Sequence, residues 1–599
     1  MRRFTVLVPF LLVLGACGKK QAPPQTFSAL TEEFVHSTLA LSPVSATAAG
    51  YHTHQGVALD ERLDDLSSAG LEAQRSHYRN WLNRLSRIDA NSLDAQSRAD
   101  LGLMRNLCEA ALFELDTEQN WKNNPTLYVE LIGTALFTPY SVEYASAEQR
   151  WRHIVSRLEA VPAFLDAARA NLARSNPVWT QTAIEENEGT IELIEKEFAP
   201  KVPEALSERY SKAAARAVEA MRAFNAHLKT LPDAGAEGWR LGKEKYARKF
   251  DLTFRGMATP EALLKEAEEA LTELRRHMFK VALPLHSKYF PTHRDPVDLN
   301  LIVGEVLDRI ARKQSKPETY FRDAQQALDE VRAFLRTRAD RIVALPPNDN
   351  LKIIETPPFM RGIYSVGGFN PAPPLQPELG AFYWLTPIPG DWPRERIESK
   401  LREYNYYGLR ILTIHEAIPG HWLQFEYAAQ VEPAPRRLLR SLYGDGAYIE
   451  GWAVYATDLM VQEGYLNHDP EFELTHSKQL LRAVANAILD IRLHTMGMTD
   501  EEAMELMIRR TFQEKEEAQA KLRRAKLSSC QLPTYFAGFR AWKRLRAAAE
   551  KQEGERFQPG EFHGRALLAG ALPLSALAEV LGVNLEQPAA PAGGAPPRP

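Results

Sequence analysis

The stretch Thr413-Ile414-His415-Glu416-Ala417-Ile418-Pro419-Gly420-His421 contains the residues from which the fold and the chemistry of this chain can be worked out. A zinc peptidase needs two histidines that bind the metal and a carboxylate that takes a proton from water. In the common H-E-x-x-H pattern, the histidines lie four positions apart on one helix face. Here they lie six positions apart, so a regular helix would not bring them together.

Pro419 and Gly420 explain how the wider spacing can still form one site. Over six residues a regular helix turns by roughly 240°, which points His415 and His421 in different directions. Pro419 cannot donate a hydrogen bond to the carbonyl of His415, and its ring clashes there. Gly420 can adopt backbone angles that other residues avoid. We therefore expect the helix to break or bulge here and to return His421 to the side of His415.

A third metal ligand is expected downstream, on a following antiparallel helix. Glu450 opens the segment Glu450-Gly451-Trp452 and lies 29 residues beyond His421. Gly451 would allow another backbone, or the metal site itself, to approach closely. A glutamate in such a segment is, by itself, more often a helix-surface acid. The histidine segment upstream favours a metal ligand instead.

The rest of the sequence predicts a mainly α fold with one small sheet. Thr259-Pro260-Glu261 and Thr499-Asp500-Glu501-Glu502 are typical helix starts, with a threonine cap followed by acidic residues. Residues 345–393 are rich in proline and glycine, with β-favouring runs at Leu351–Glu355 and Gly380–Leu385. The predicted organisation is a signal peptide (1–17), a tether (18–26), a helical N-terminal region (27–344), a small sheet with a Pro/Gly-rich segment (345–393), a helical catalytic region (394–586) and a disordered tail (587–599).

The N-terminus indicates export. Met1-Arg2-Arg3 precedes an apolar run from Phe4 to Leu14 that is too short to cross a bilayer, as in a secretory signal peptide. Leu14-Gly15-Ala16-Cys17 resembles a bacterial lipobox, which implies that Cys17 is lipidated and anchors the protein to a membrane. The alternative is an ordinary signal peptide that is cleaved near Cys17. The expected location is the periplasmic face of a bacterial membrane or the cell surface.

Charge and cysteine content argue against two other classes of protein. The chain has 73 basic and 77 acidic side chains, for a net charge of -4, and no dense basic stripe, so no nucleic-acid partner is expected. Apart from Cys17, only Cys108 and Cys530 are present, which is too few for a disulfide scaffold. Two buried free thiols are expected.

Motifs along nearly the whole mature chain point to a known family. The two central ones are His-Glu-Ala-Ile-Pro-Gly-His at 415–421 and Glu-Gly-Trp-Ala-Val-Tyr at 450–455. The others are Pro43–Gly50, Leu63-Asp64-Asp65, Asp490–His494 with Gly497, Tyr535–Gly538, Phe562-His563 and Gly570–Leu574. Together they resemble the bacterial secreted proteins and lipoproteins known as domain of unknown function 885, relatives of the gluzincin metallopeptidases. The chain departs from that pattern at Arg524-Ala525 and Gln531-Leu532-Pro533, where relatives have Arg-Tyr and Pro-x-Gln, so no role is carried over to Arg524 or Gln531.

The resemblance implies that His415, His421 and Glu450 bind Zn²⁺ and that Glu416 is the general base. It also implies a large helical, gluzincin-like fold with the small sheet near the active-site cleft. The tetrahedral oxyanion of such a reaction needs a hydrogen-bond donor besides the metal. Among the remaining polar residues, His494 and Tyr535 are the candidates for this donor, with Tyr383 less favoured.

Asp490 and two arginines are further candidates near the site. Asp490 lies one helical turn before His494 and could orient that histidine or a metal ligand, or form an ion pair with Arg492. Arg492 or Arg540 could hold the terminal carboxylate of a substrate, which would make the protein a carboxypeptidase. Most arginines in such helices instead form surface ion pairs.

The expected function is zinc-dependent hydrolysis of peptides, with a peptide or small molecule as the substrate. The edge of the small sheet could bind an extended peptide by strand addition. One alternative is a metal-dependent amidase or esterase that acts on cell-wall fragments or other small molecules. The other is a non-catalytic binding lipoprotein with a relic metal site, against which the retained Glu416 argues.

Overall fold

Helices dominate the part of the chain that the structure describes. The computed structural model describes residues 26–293, 298–347, 351–357, 361 and 366–585. The predicted signal peptide, Cys17, the predicted tail and all of the tether except its last residue lie outside these ranges. No helix within the described ranges combines the length and the apolar character needed to cross a membrane.

The α-helices form two series, one before and one after the central sheet. The first series is α1 (Phe27–Leu39), α2 (Pro43–Ala48), α3 (Ser68–Ser86), α4 (Ala95–Phe113), α5 (Asn120–Asn123), α6 (Thr126–Ser141), α7 (Ala147–Asn171), α8 (Pro177–Glu192), α9 (Ser207–Leu228), α10 (Lys243–Phe254), α11 (Pro260–Tyr289), α12 (Leu299–Ala311) and α13 (Tyr320–Arg336). The second series is α14 (Arg394–Glu403), α15 (Tyr406–Glu416), α16 (His421–Ala428), α17 (Ala434–Leu442), α18 (Gly446–Gln462), α19 (Pro470–Thr495), α20 (Asp500–Glu505), α21 (Lys515–Leu527), α22 (Pro533–Glu553), α23 (Pro559–Leu568) and α24 (Leu574–Leu581).

Both predicted helix starts are confirmed. Thr259 caps α11 by accepting a hydrogen bond from the amide of Ala262. Thr499 forms a capping box with Glu502 at the start of α20. The first amides of a helix have no partner within it, and a side-chain cap that satisfies one of them contributes about 1 kcal/mol.

The strands form two small sheets. Strands β1 (Thr53–His54) and β2 (Val57–Ala58) make a short antiparallel hairpin. Strands β3 (Leu351–Glu355), β4 (Gly367–Asn370) and β5 (Ala381–Leu385) form the central sheet in the order β3-β5-β4, with β3 parallel and β4 antiparallel to β5. The predicted small sheet is therefore confirmed: β3 has the predicted bounds, and β5 begins one residue later than predicted.

Two apolar cores hold the helices together. One lies mainly among α6, α7, α8 and α9 and includes Tyr128, Ile132, Leu158 and Phe224. The other is larger and joins α1–α4 and α10–α13 to the central sheet and to α14–α24. The division between the cores falls within the predicted N-terminal region, so helices from both series contribute to the larger core. Cys108 and Cys530 are buried free thiols, as expected.

Two glycines bring α18 against α22. A Cβ on Gly451 would lie 2.3 Å from the carbonyl carbon of Gly538, and a Cβ on Gly538 would lie 1.9 Å from the carbonyl oxygen of Ala447. Only residues without a Cβ allow two backbones to approach this closely. The close approach expected at Gly451 is therefore confirmed. It places Glu450 of α18 beside the helix that carries Tyr535.

Candidate metal centre

The helix that carries the first histidine ends where the proline-glycine pair interrupts it. Helix α15 ends at Glu416, and α16 begins at His421. The amide of Ala417 makes the last regular helical hydrogen bond, to the carbonyl of Thr413 at 2.9 Å, and the helical pattern then stops. Instead, the amide of Gly420 donates to the carbonyl of Ile414, at 3.0 Å, across the interruption. The predicted break is confirmed.

Gly420 is needed at the break because it has no Cβ. A Cβ at this position would lie 2.0 Å from the carbonyl oxygen of His415 and 2.3 Å from that of Ile414. The φ angle of Gly420 is -73°, outside the left-handed region that favours glycine. Its ψ angle is -131°, so the pair of angles is neither helical nor extended, and glycine has a steric reason as well: the loop passes directly over the last turn of α15.

His415, His421 and Glu450 converge at the break. Oε2 of Glu450 lies 3.5 Å from Nε2 of His415 and 3.4 Å from Nε2 of His421. The two imidazole rings are 4.7 Å apart, between centroids, and nearly perpendicular. Ligand atoms that lie at bonding distance from a tetrahedral Zn²⁺ are separated from one another by roughly 3.3 Å. The three side chains therefore have the spacing of ligands to one ion.

The buried polar atoms of this cluster also fit a cation. Among the described residues, Oε2 of Glu450 is buried without a hydrogen-bond partner, and a buried carboxylate without a donor is costly. Burial alone would raise the pKa of Glu450, but His415 and His421 hold it well below its usual value. Glu450 is thus ionised, as a metal ligand must be. Two imidazoles and one carboxylate suit Zn²⁺.

Contacts within α18 and from α18 to the break position Glu450. Asp445 caps α18 by accepting a hydrogen bond from the amide of Tyr448. Trp452 is fully buried, and its indole Nε1 donates to the carbonyl of Pro419 at 2.8 Å. The helix that carries the third ligand therefore also holds the interrupted segment between the first two.

Glu416 is the carboxylate next to the cluster. Burial raises the pKa of Glu416, and the charge of Glu450 raises it further, against the opposing effects of His415, the amide of Phe369 and Arg524. A carboxylate with a raised pKa binds a proton more readily than an exposed one. This property suits a general base that takes a proton from water near neutral pH.

The outer edge of β4 faces the cluster. The amide of Thr386 donates to the carbonyl of Val366 at 2.8 Å. Along an antiparallel strand, residues alternate between pointing their amide and carbonyl groups toward the partner strand and pointing them away from it. In this register the amide and carbonyl of Phe369 point away from β5. The amide of Phe369 donates to Glu416. Its ring stacks on His421, with 6.3 Å between centroids. The small sheet therefore lies directly against the candidate metal ligands.

Tyr535 lies beside His415. Its ring stacks on that imidazole, with 6.2 Å between centroids. Its hydroxyl oxygen faces Nη2 of Arg524 at 3.4 Å and Nε2 of Gln531 at 3.5 Å. Burial raises the pKa of Tyr535 to about 12. The hydroxyl therefore stays protonated at neutral pH and can donate a hydrogen bond.

His494 is not brought to the cluster. Its Nε2 lies 3.3 Å from the carbonyl of Ala525 and 3.0 Å from that of Ser528. Its Nδ1 lies 3.4 Å from the amide of Leu241, and its ring stacks on Tyr246. The protein backbone therefore occupies both ring nitrogens, and neither remains to stabilise an oxyanion.

Asp490 and Tyr383 have buried positions that exclude contact with a substrate. Asp490 accepts hydrogen bonds from the hydroxyl of Tyr246, at 2.6 Å, and from the amide of Cys530, at 3.0 Å. Both of these hydrogen bonds come from groups other than His494 and the metal ligands, although the charge of Asp490 acts on His494, where it opposes the larger effect of burial, which lowers the pKa of that histidine. Tyr383 has no accessible surface, although it lies close enough to Glu416 for that charge to add to the effect of burial, which raises the pKa of the phenol.

Arg492 and Arg540 form ion pairs with helix α11. Arg492 pairs with Glu268, and Nε of Arg540 lies 2.6 Å from Glu266. Both pairs are partly exposed to solvent. These arginines therefore follow the surface-pair alternative rather than the role of holding a substrate carboxylate.

Sequence reasoning missed three groups that shape the site. Trp452 lies within the Glu-Gly-Trp segment, so the sequence motif pointed to this residue, although not to its contact with the break. Arg524 was singled out as a departure from the family pattern, but its place beside Tyr535 depends on how α21 packs. The amide of Phe369 had no signal at all, because its contribution comes from the backbone.

Comparisons with known proteins are consistent with this fold. The pattern of a family described as "Bacterial protein of unknown function (DUF885)" matches residues 43–581. A solved structure of a "putative lipoprotein of unknown function" from Shewanella oneidensis has a TM-score of 0.77 and 29% identity, over 93% of this chain and 99% of that one. A "putative lipoprotein" from Colwellia psychrerythraea shares the fold, with a TM-score of 0.73 and 16% identity over 93% of this chain and 99% of that one. No curated protein matches the chain.

Proposed function

The chain belongs to the DUF885 family, and we propose that it is a zinc-dependent peptidase of gluzincin-like type. The observation that carries the proposal is the convergence of His415, His421 and Glu450, with ligand atoms 3.4–3.5 Å apart across the break. Glu416 lies beside these ligands in a position suited to acid-base chemistry. Three metal ligands without a neighbouring carboxylate would indicate only a metal-binding site. The adjoining carboxylate supports hydrolysis.

In the proposed hydrolysis, three residues of the site bind the metal and Glu416 transfers the proton. Zn²⁺ bound by His415, His421 and Glu450 would lower the pKa of water toward neutrality and polarise the scissile carbonyl. Glu416 takes the proton from the attacking water and passes it to the leaving nitrogen, so the amine departs neutral. The burial that raises the pKa of Glu416 makes it a stronger base for the first of these transfers than an exposed glutamate would be.

Tyr535 and Arg524 stabilise the negative charge that develops on the carbonyl oxygen. The ring of Tyr535 stacks on that of His415, and its hydroxyl faces Arg524. With a pKa of about 12, Tyr535 remains a donor throughout the neutral range. A donor placed before the charge forms needs little reorganisation in the transition state.

The position of β4 favours an extended peptide as the substrate. The backbone of Phe369 turns away from β5 and toward Glu416. A peptide that lies along this edge would gain main-chain hydrogen bonds independently of its side chains. Its scissile bond would then lie next to the metal ligands.

The proposal includes a lipid anchor at Cys17. Two solved structures that share the fold are described as putative lipoproteins, and residues 14–17 resemble a lipobox. The protein would then act at the periplasmic face of a bacterial membrane or at the cell surface. Metabolic labelling with palmitate should mark the wild-type chain and not Cys17→Ala; equal labelling would contradict the anchor.

Digestion of substrate libraries tests the proposed activity. The zinc-loaded protein is incubated with peptide, ester and muropeptide libraries, with and without a chelator, and Glu416→Gln with the same zinc content serves as the control. We expect peptide cleavage that the chelator and the variant both abolish. Cleavage confined to esters or muropeptides would favour an esterase or amidase. No cleavage of any library would favour a binding protein.

A further inference from the structure

A second pair of histidines converges on a carboxylate far from the first in sequence. His286 lies in the last turn of α11, His293 follows that helix, and Glu305 lies on α12. Oε2 of Glu305 lies 2.7 Å from Nε2 of His286 and 3.3 Å from Nδ1 of His293. One ligand atom from each of the three side chains lies within 4.8 Å of the other two.

The surroundings hold both imidazoles in place. His286 is 3% exposed, so its ring is fixed by packing, whereas His293 and Glu305 are open to solvent. Phe290 stacks on His293, with 5.1 Å between centroids, and also contacts the ring of His286 at 5.1 Å. A ring nitrogen of each histidine is thereby directed at the same carboxylate oxygen.

We propose that His286, His293 and Glu305 form a second zinc site, which links the end of α11 to α12. Two imidazoles and one carboxylate are a suitable ligand set for Zn²⁺, and water would complete a tetrahedral shell. On binding, the ion takes the place of the protons that join the imidazoles to Glu305, and these protons leave to solvent. The entry path is open, since His293 and Glu305 face solvent.

The role of this site is to bind and to stabilise, and it does not depend on the proposed peptidase activity. The ring that flanks both histidines belongs to Phe290, which has no proton to transfer. Helix α11 packs along α19, which lies in the centre of the larger core. A link from α11 to α12 would therefore stabilise a helix that supports the core, because an ion that binds only the folded state raises its stability.

Zinc content and thermal denaturation of the full-length chain test this site. The protein is stripped with a chelator, loaded with zinc chloride, dialysed, and measured for zinc per chain. We expect about two equivalents in the wild type, one for each ligand set, and the loss of one equivalent in both His293→Ala and Glu305→Gln. Zinc should raise the melting temperature of the wild type more than that of either variant, while peptide cleavage stays unchanged.

His277→Ala is the matched control. His277 also belongs to α11, is 47% exposed like His293, and pairs with a single carboxylate, Glu473. Its substitution should leave the zinc content at the wild-type value. His421→Ala should remove the other equivalent, which separates the two sites.

The outcomes distinguish this inference from the proposed function. Wild-type zinc content in both His293→Ala and Glu305→Gln would overturn the second site, whatever the state of the first. Loss of one equivalent in these variants, with none lost in His421→Ala, would support the second site and contradict the peptidase centre.

Discussion

The cluster of His415, His421 and Glu450 and the cluster of His286, His293 and Glu305 have the same three ligand types in different surroundings. The first lies against the larger core with its side chains 9–20% exposed, Glu416 and Tyr535 beside it and an edge strand along one side. The second lies at the surface, between two helices, with a phenylalanine as its flanking ring. The ligands determine whether a metal can bind, and the neighbouring proton donors and acceptors determine whether a reaction can follow.

The largest expected difference between the clusters concerns the carboxylates. Glu416→Gln should lower peptide cleavage by roughly 10²–10⁴-fold, because the amide cannot accept a proton from water. Its zinc content should stay at the wild-type value. Glu305→Gln is the matched change in the other cluster and should leave cleavage intact while one equivalent of zinc is lost. Steady-state kinetics with metal analysis measure both effects, and equal turnover in wild type and Glu416→Gln would remove Glu416 from the mechanism.

The hydroxyl of Tyr535 should have the next largest effect. Tyr535→Phe keeps the ring that stacks on His415 and removes the proposed oxyanion donor, so kcat should fall by roughly 10²–10³-fold with little change in KM. His494→Gln is a useful comparison, since both ring nitrogens of His494 lie against backbone groups. It should affect stability more than kcat. A larger loss of kcat in His494→Gln than in Tyr535→Phe would assign the oxyanion donor to His494 instead of Tyr535.

Substitution of two glycines tests whether the break between α15 and α16 is needed to form the first site. Gly420→Ala would place a methyl group 2.0 Å from the carbonyl oxygen of His415, and the required shift should cost roughly 1–3 kcal/mol and weaken zinc binding at the first cluster. Gly304, next to Glu305 on α12, has open space around it. Gly304→Ala should therefore stabilise the protein by roughly 0.5–1 kcal/mol, with both zinc ions retained. Denaturation and zinc titration would show the contrast; identical behaviour of the two variants would contradict it.

The smallest expected effect comes from Trp452. Trp452→Phe removes the hydrogen bond to the carbonyl of Pro419 but keeps an aromatic ring in the core. A lost hydrogen bond of this kind is worth about 1 kcal/mol, so zinc affinity at the first cluster should fall only several-fold. Binding at the second cluster should not change. A competition titration with a zinc chelator can resolve this difference.

Local patterns in the sequence predicted much of the fold and part of the site. The break at Pro419, the cap at Thr259 and the strand at Leu351–Glu355 each depend on chemistry within a few residues, and the structure has all three. Glu450 was also identified, because its segment could be read together with the histidines upstream. In the structure Glu450 lies beside His415 and His421, as predicted.

Residues whose position depends on long-range packing could not be assigned in this way. The spacing of Asp490 and His494 shows that they share a helix face, but not which element that face meets, and α19 turns His494 toward backbone carbonyls. Arg524 reaches Tyr535 only through the packing of α21. The cluster at His286 combines two helices and the residues between them, and no short motif describes such a spacing.

Anomalous diffraction at the zinc edge, from crystals of zinc-loaded Glu416→Gln, tests the central claim most directly. The account predicts a strong peak at the break between α15 and α16, within about 2.0–2.2 Å of Nε2 of His415, Nε2 of His421 and a carboxylate oxygen of Glu450. Zinc-loaded crystals with no peak there, or with a peak bound by only one of the two histidines, would contradict it.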